Sequence, residues 1–267
     1  MKTILYYFTG TGNSLRAART LQKNLDDCEL KPIAGLLLSG KTVAAEKDAN
    51  IGFVFPMYCA GVPNIVVRFF NQINLKDAGY VFSVITCGSS VQGSPVKPIA
   101  ALCEKAGHLL NASWFVQMPS NYIPKCDCPS ADKQKEIFDA AENKLAAIAD
   151  SITSRENKSD KHTIAGKLMY LAAYKPFMKK IPDFDKKFVV SSHCNSCMVC
   201  VKICPVNNIT ADEDNNLQWT HHCEACLACL QFCPKGAISY DESDKSRSRY
   251  HNPSITVNDL INQKKTE

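Results

Sequence analysis

Along the first 150 residues, short apolar runs alternate with longer segments whose apolar positions recur every three or four residues. The runs at 3–8, 31–38, 51–56, 80–86 and 113–118 are rich in Ile, Val, Phe and Tyr and nearly unbroken by polar residues. Runs of this kind predict parallel strands covered on both faces. Between them, 14–25, 64–72, 95–106 and 132–152 read as helices. In the last, Ile137, Ala140, Ala141, Leu145, Ile148 and Ile152 share one face with charged residues between them. The alternation predicts βαβ units, hence an α/β fold with a three-layer open parallel sheet over residues 1–154.

The pattern changes beyond that point. Residues 155–187 read as a basic connector, in which Leu168, Tyr170, Leu171, Tyr174, Phe177 and Met178 lie among lysines. The expectation is a helix packing across two domains; a membrane-surface helix is the lesser alternative, shortened by Pro176 and Pro182. Residues 188–242 are cysteine-rich, and 243–267 form a C-terminal tail.

Composition and charge narrow the class. The chain is 45% hydrophobic and 21% charged, as soluble globular proteins are, and lacks the roughly 18-residue apolar stretch of a membrane span. The apolar run at 4–8 is too short for a secretory core, so an unexported, cytoplasmic protein is expected. There, cysteines serve as metal ligands or free thiols rather than disulfides. The net charge of +5 is unevenly spread: 155–187 holds nine basic and four acidic residues, and 188–242 holds two basic and six acidic. That contrast suits internal docking or the steering of a charged partner. No basic run accompanies a nucleic-acid motif, and no hydrolytic Ser/His/Asp or paired-carboxylate arrangement stands out.

Eight of the fourteen cysteines fall into two copies of C-x₂-C-x₂-C-x₃-C-P. Cys194, Cys197, Cys200 and Cys204 precede Pro205; Cys223, Cys226, Cys229 and Cys233 precede Pro234, and the copies start 29 residues apart. Three thiolates at this spacing converge around a cubane, whereas zinc, the alternative, favours paired C-x₂-C. The run resembles that of bacterial two-cluster ferredoxins, with an α+β fold. The resemblance implies two 4Fe–4S clusters with crossed ligation: Cys194, Cys197, Cys200 and Cys233 on one, Cys223, Cys226, Cys229 and Cys204 on the other. It also makes Ile209 and Ile238 equivalent core positions. His193 and His222, before each copy, are expected in turns rather than as ligands. A module this small is expected to fold only with its clusters.

The first apolar run passes directly into Thr9, Gly10, Thr11, Gly12, Asn13 and Ser14, and then into a helix. Glycines and hydroxyls at a strand-to-helix turn suit a phosphate held by backbone N–H groups. A Walker loop is missing its Gly-Lys, and a dinucleotide fingerprint is broken by Leu15. The hexapeptide resembles the T-x-T-G-N-T/S phosphate loop of flavodoxins. That resemblance implies a flavodoxin-like sheet of order 2-1-3-4-5, with FMN at the crevice outside the strand C-termini. Two further loops would grip the flavin: Pro56, Met57, Tyr58, Cys59, Ala60 and Gly61, then Thr86, Cys87, Gly88 and Ser89 through Gly93. Tyr58 would stack on the ring, while Gly61 and Gly88 would let backbone approach it. No Trp occupies either loop, which leaves one ring face open or covered by the other domain. Pro119, Ser120, Asn121 and Tyr122 are candidates for the flavin edge. Cys59 and Cys87 are flavin-modulating or passive thiols, Cys126 and Cys128 a redox pair or merely exposed, and Cys28 and Cys103 ordinary small residues.

Over residues 1–240 the architecture resembles flavodoxin–ferredoxin fusion iron–sulfur flavoproteins of anaerobes. The function implied is an electron relay between the clusters and FMN, with a ferredoxin, a reductase or an acceptor protein as redox partner. A ferredoxin-fed reductase of a small acceptor and a redox-dependent binding or sensor protein are the alternatives; an NAD(P)H-driven enzyme would need a second nucleotide motif.

Overall fold

The computed structural model describes residues 1–88, 95–160, 163–241 and 246–266. Its first part runs β1 (Thr3–Tyr7), α1 (Asn13–Asn24), β2 (Cys28–Pro32), α2 (Ile33–Ser39), β3 (Val43–Ala44) and β4 (Asn50–Pro56). It continues with α3 (Asn64–Phe69), β5 (Ile73–Asn74), β6 (Tyr80–Cys87), α4 (Val96–Lys105), β7 (Ala112–Gln117) and α5 (Ala131–Thr153). Five strands pair in parallel in the order β2-β1-β4-β6-β7. With the short β3–β5 pair set aside, this is the flavodoxin-like order 2-1-3-4-5. Alternate strand residues fill two cores. Leu5, Tyr7, Val54, Val84 and Trp114 face α1 and α5; Ile4, Tyr6, Phe53, Phe55 and Phe115 face the opposite layer, with α3 and α4. The order of strand addition reverses between β1 and β4, so their C-terminal ends open the crevice where ligands of such sheets lie.

One predicted strand is corrected. Of the run at 31–38, only Lys31 and Pro32 belong to a strand, and Ile33–Ser39 is helical. Pro32 stands just before the helix, and Gly40 ends it in the left-handed region with its N–H bonded to the Leu37 carbonyl. Leu and Ala outnumber the β-branched residues between these stops, and a short apolar run carries no period strong enough to declare a strand.

The connector contains α6 (Ile164–Met169), a π-helical turn (Tyr170–Tyr174) and α7 (Lys175–Lys180). Pro176 has no N–H to give the preceding turn, which widens there. The connector touches both parts. Tyr174 donates from its hydroxyl to the Val62 carbonyl at 2.7 Å, while Met178, Ile181 and Phe184 pack with Ala225 and Leu227. The cysteine-rich part holds β8 (Phe188–Val190), α8 (Val199–Ile203), β9 (Ile209–Ala211), β10 (Leu217–Trp219), α9 (Ala228–Gln231) and β11 (Ile238–Tyr240). It forms two antiparallel pairs, β9–β10 and β8–β11. The tail folds back as α10 (Val257–Asn262), against α8. Among the described residues no helix is long and apolar enough to cross a membrane.

Candidate redox site

Each cysteine run forms a loop ending in a short helix, α8 or α9. The loops bend alike. Ser196 and Met198 in one, and Ala225 and Leu227 in the other, occupy the left-handed region at φ between 51° and 62°. Left-handed residues at alternate positions bend each loop tightly, as in the backbone concavities that bind anions. The Asn208 N–H donates to Cys204 Sγ at 3.2 Å and the Ala237 N–H to Cys233 Sγ at 3.3 Å, four residues on in both copies. Ile209 and Ile238 meet in one small core with Cys200, Cys204 and Cys229.

The eight thiols divide into two groups. Cys194, Cys197, Cys200 and Cys233 line one cavity; Cys204, Cys223, Cys226 and Cys229 line another. Each group takes one cysteine from the other copy, as the ferredoxin resemblance implies. Burial pushes the Cys200 thiol up to about 11 and that of Cys223 to about 12, with neighbouring thiols adding to the rise. Cys226 and Cys229 are raised further for the same reasons. Four-thiol donor sets, with N–H groups donating to Cys204 and Cys233, fit the clusters, and ligation as thiolates would release protons. His222 serves the turn: its N–H donates to Asn208 Oδ1 at 2.8 Å, and its ring lies 2.9 Å from both the Thr220 hydroxyl and the Val206 carbonyl.

A cavity of about 440 Å³ opens at the C-terminal ends of the parallel strands. The phosphate-like loop contributes Thr9, Gly10, Thr11, Asn13 and Ser14 to its wall; the second loop gives Pro56, Met57, Tyr58 and Cys59; the third gives Thr86, Cys87 and Gly88. Gly12 lies behind the wall, at φ +98°, just before α1. Ala60 and Gly61 also lie off it. Cys59 and Ala60, at φ 45° and 65°, form a tight turn closed by two bonds between Tyr58 and Gly61. A Cβ on Gly61 would fall 2.1 Å from the Tyr174 ring, so this glycine admits the connector rather than a ligand. Ser89 and Gly93 lie outside the described residues.

Pro119, Ser120, Asn121 and Tyr122 reach the wall, together with Met118, Lys125, Met169, Phe177, Ala225, Cys226 and Leu227. Sequence reasoning named none of this second group as cavity-lining; its signals were the apolar residues among the connector's lysines and the absence of Trp from the two flavin loops. The connector and the second cysteine loop thus form one side of the cavity. Tyr58, Tyr122 and Phe177 supply aromatic surface. Burial raises the Tyr58 hydroxyl well above its ordinary value, reinforced by Cys226 and Glu224. A cation-free loop at the start of a 12-residue helix, with Ser14 Oγ 2.7 Å from Thr86 Oγ1, fits a flavin monophosphate. Of the remaining thiols, Cys126 is exposed, Cys128 packs at the small core, and Cys103 is fully buried.

The two kinds of cavity meet at the second cysteine loop. Cys226 lines both, and a Cβ on Gly10 would fall 2.1 Å from its carbonyl oxygen. Glu224, 3% exposed, accepts the Ile65 N–H at 3.0 Å and pairs with Arg68 at 2.8 Å, tying the loop to α3. Burial raises its carboxyl to about 7, opposed by Arg68.

A family model described as a 4Fe-4S binding domain matches residues 188–210. That stretch, which holds the first cysteine run, is similar to 4Fe-4S binding domains. No curated protein matches the chain. Among solved structures it is similar to a flavodoxin from the domain Archaea, at 12% identity over 57% of this chain and 99% of that one, TM-score 0.34. The general stress protein 14 of Treponema denticola, in complex with FMN, is 8% identical over 57% of this chain and 99% of its own, TM-score 0.39. Rubredoxin oxygen:oxidoreductase from the anaerobe Desulfovibrio gigas is 15% identical over 58% of this chain and 36% of its own, TM-score 0.34. The flavodoxin-like fold is established here by the strand order itself.

Proposed function

We propose that this chain is an electron-transfer iron–sulfur flavoprotein of the flavodoxin–ferredoxin fusion type. In this reading residues 1–154 hold FMN, 155–187 connect, and 188–242 carry two 4Fe–4S clusters. When bound, the clusters supply one-electron steps and FMN one- or two-electron steps. The observation that supports it most is Cys226, which is common to a four-thiol cavity and to the large crevice cavity.

The residues divide the work by position. Cys204, Cys223, Cys226 and Cys229 hold the inner cluster, beside the flavin cavity. Cys194, Cys197, Cys200 and Cys233 hold the outer one. Glu224, Ala225 and Leu227 of the inner loop are buried, whereas the equivalent Asn195, Ser196 and Met198 are exposed or half-buried, and Cys197 is exposed. A protein partner therefore meets the outer loop, and the inner loop faces the flavin. The connector and Tyr122 close the cavity against water.

Anaerobic reconstitution followed by a spectroscopic redox titration tests this. The reading expects one FMN and roughly eight irons per chain, as two cubanes require. A preparation that retains no flavin, or saturates at half that iron, contradicts it.

A further inference from the structure

A loop that receives a phosphate through its amides turns those N–H groups inward, and its carbonyls point outward. Where the loop is buried, those carbonyls need donors on the far side. Here the donors come from residues 250–263. The fully buried Gln263 donates from Nε2 to the Thr9 carbonyl at 3.0 Å and accepts the Thr9 N–H at 3.4 Å, across 254 positions of sequence. The Asn252 N–H donates to the Thr11 carbonyl at 2.8 Å.

Asn13, the first residue of α1, is fixed from three directions. Its Oδ1 accepts from the Tyr250 hydroxyl at 2.6 Å and from Asn252 Nδ2 at 3.1 Å, and its Nδ2 donates to the Pro119 carbonyl at 3.1 Å. Gly12 offers no side chain to cap the helix, and a Cβ there would fall 2.9 Å from the side chains of Asn252 and Ile255. Tyr250 is itself anchored, its N–H donating to Gln231 Oε1 at 2.7 Å. Gln231 lies in α9, between Cys229 and Cys233, so the same bonds bind the loop to the cluster module.

We infer that Tyr250, Asn252 and Gln263 are positioning residues for the flavin phosphate. They brace the 9–14 loop from behind through Thr9, Thr11 and Asn13, three of the residues that line the cavity, and none of the three lines it itself. The inference rests on the FMN reading above. It assigns the C-terminal segment a part in cofactor binding that a tail beyond the ferredoxin module would not otherwise have.

Riboflavin carries the ring and ribityl chain of FMN without the phosphate, so the pair separates loop geometry from the rest of the cavity. Cluster-loaded, flavin-free protein is titrated with each by fluorescence quenching, for wild type, Tyr250→Phe and Gln263→Met. FMN is expected to bind about 3- to 10-fold more weakly to Tyr250→Phe and about 10-fold or more weakly to Gln263→Met, on the scale of one and two hydrogen bonds. Riboflavin affinity should change less than about 2-fold, with iron content and melting temperature reporting the fold. Unchanged FMN affinity in both variants overturns the inference. So does an equal loss for FMN and riboflavin, which would make the segment a general support. Tyr250→Phe loses a single oxygen and keeps the test decisive if Gln263→Met folds poorly. Wild-type protein that binds neither flavin refutes the FMN reading and removes this inference with it.

Discussion

Gly10 carries more of the site than its size suggests. The space where a Cβ would go is taken by the Cys226 carbonyl at 2.1 Å, and a backbone atom cannot rotate aside as a side-chain tip can. Gly10→Ala is therefore expected to cost about 1–3 kcal/mol through overpacking and to disturb flavin and inner cluster together. Visible absorbance of both chromophores and the melting temperature check this; full occupancy of both with an unchanged Tm would contradict it. Gly88→Ala should be milder, since the atoms it meets on Ser120 begin at 3.1 Å. The sequence marks these glycines as turn-makers but not what fills the space beside them. Gly61 reads as a flavin-approach residue, yet it admits Tyr174 from 113 positions later, and nothing local signals that contact.

Among the elements, the long buried strands were legible because continuous apolar runs have few other uses. The run at 31–38 was not, because its length suits a strand and a helical turn equally and only Pro32 and Gly40 decide between them. Glu224 shows how α3 holds the inner loop. Glu224→Ala leaves the buried Ile65 N–H without its acceptor, for an expected loss of about 1–3 kcal/mol by thermal or denaturant unfolding. A neutral result would mean that the loop is held by packing alone.

At α10, Asp259 accepts from the Thr256 N–H and from Arg19, and completes a capping box. Burial works against its charge, but Arg19 and Thr256 outweigh it and hold the carboxyl below its ordinary 3.8. A carboxylate whose folded pKa is depressed adds stability that is present above 3.8 and lost as pH falls through the folded value. Asp259→Asn should then cost about 1 kcal/mol near neutrality. Its deficit against wild type should shrink only below pH 3.8; a deficit that already disappears at mildly acid pH would contradict the assignment.

For the whole molecule, the fold followed from alternation, and the grouping of the eight cysteines into two sets of four from their spacing, because both are short-range signals. The junction did not. The 9–14 loop meets Cys226 on one side and Gln263 on another, contacts spanning most of the chain that no local pattern encodes. It is at this junction that the proposed relay would pass from one part to the other, with the outer cysteine loop exposed and the inner one buried beside the large cavity. The most direct test is rapid mixing of reduced two-cluster ferredoxin with oxidised protein, in wild type and in Cys223→Ser, a variant chosen to remove the inner cluster while FMN occupancy is verified. Flavin reduction that follows cluster reduction in wild type, and slows at least about tenfold in the variant, is the predicted result. Flavin reduced equally fast without the inner cluster would contradict the relay.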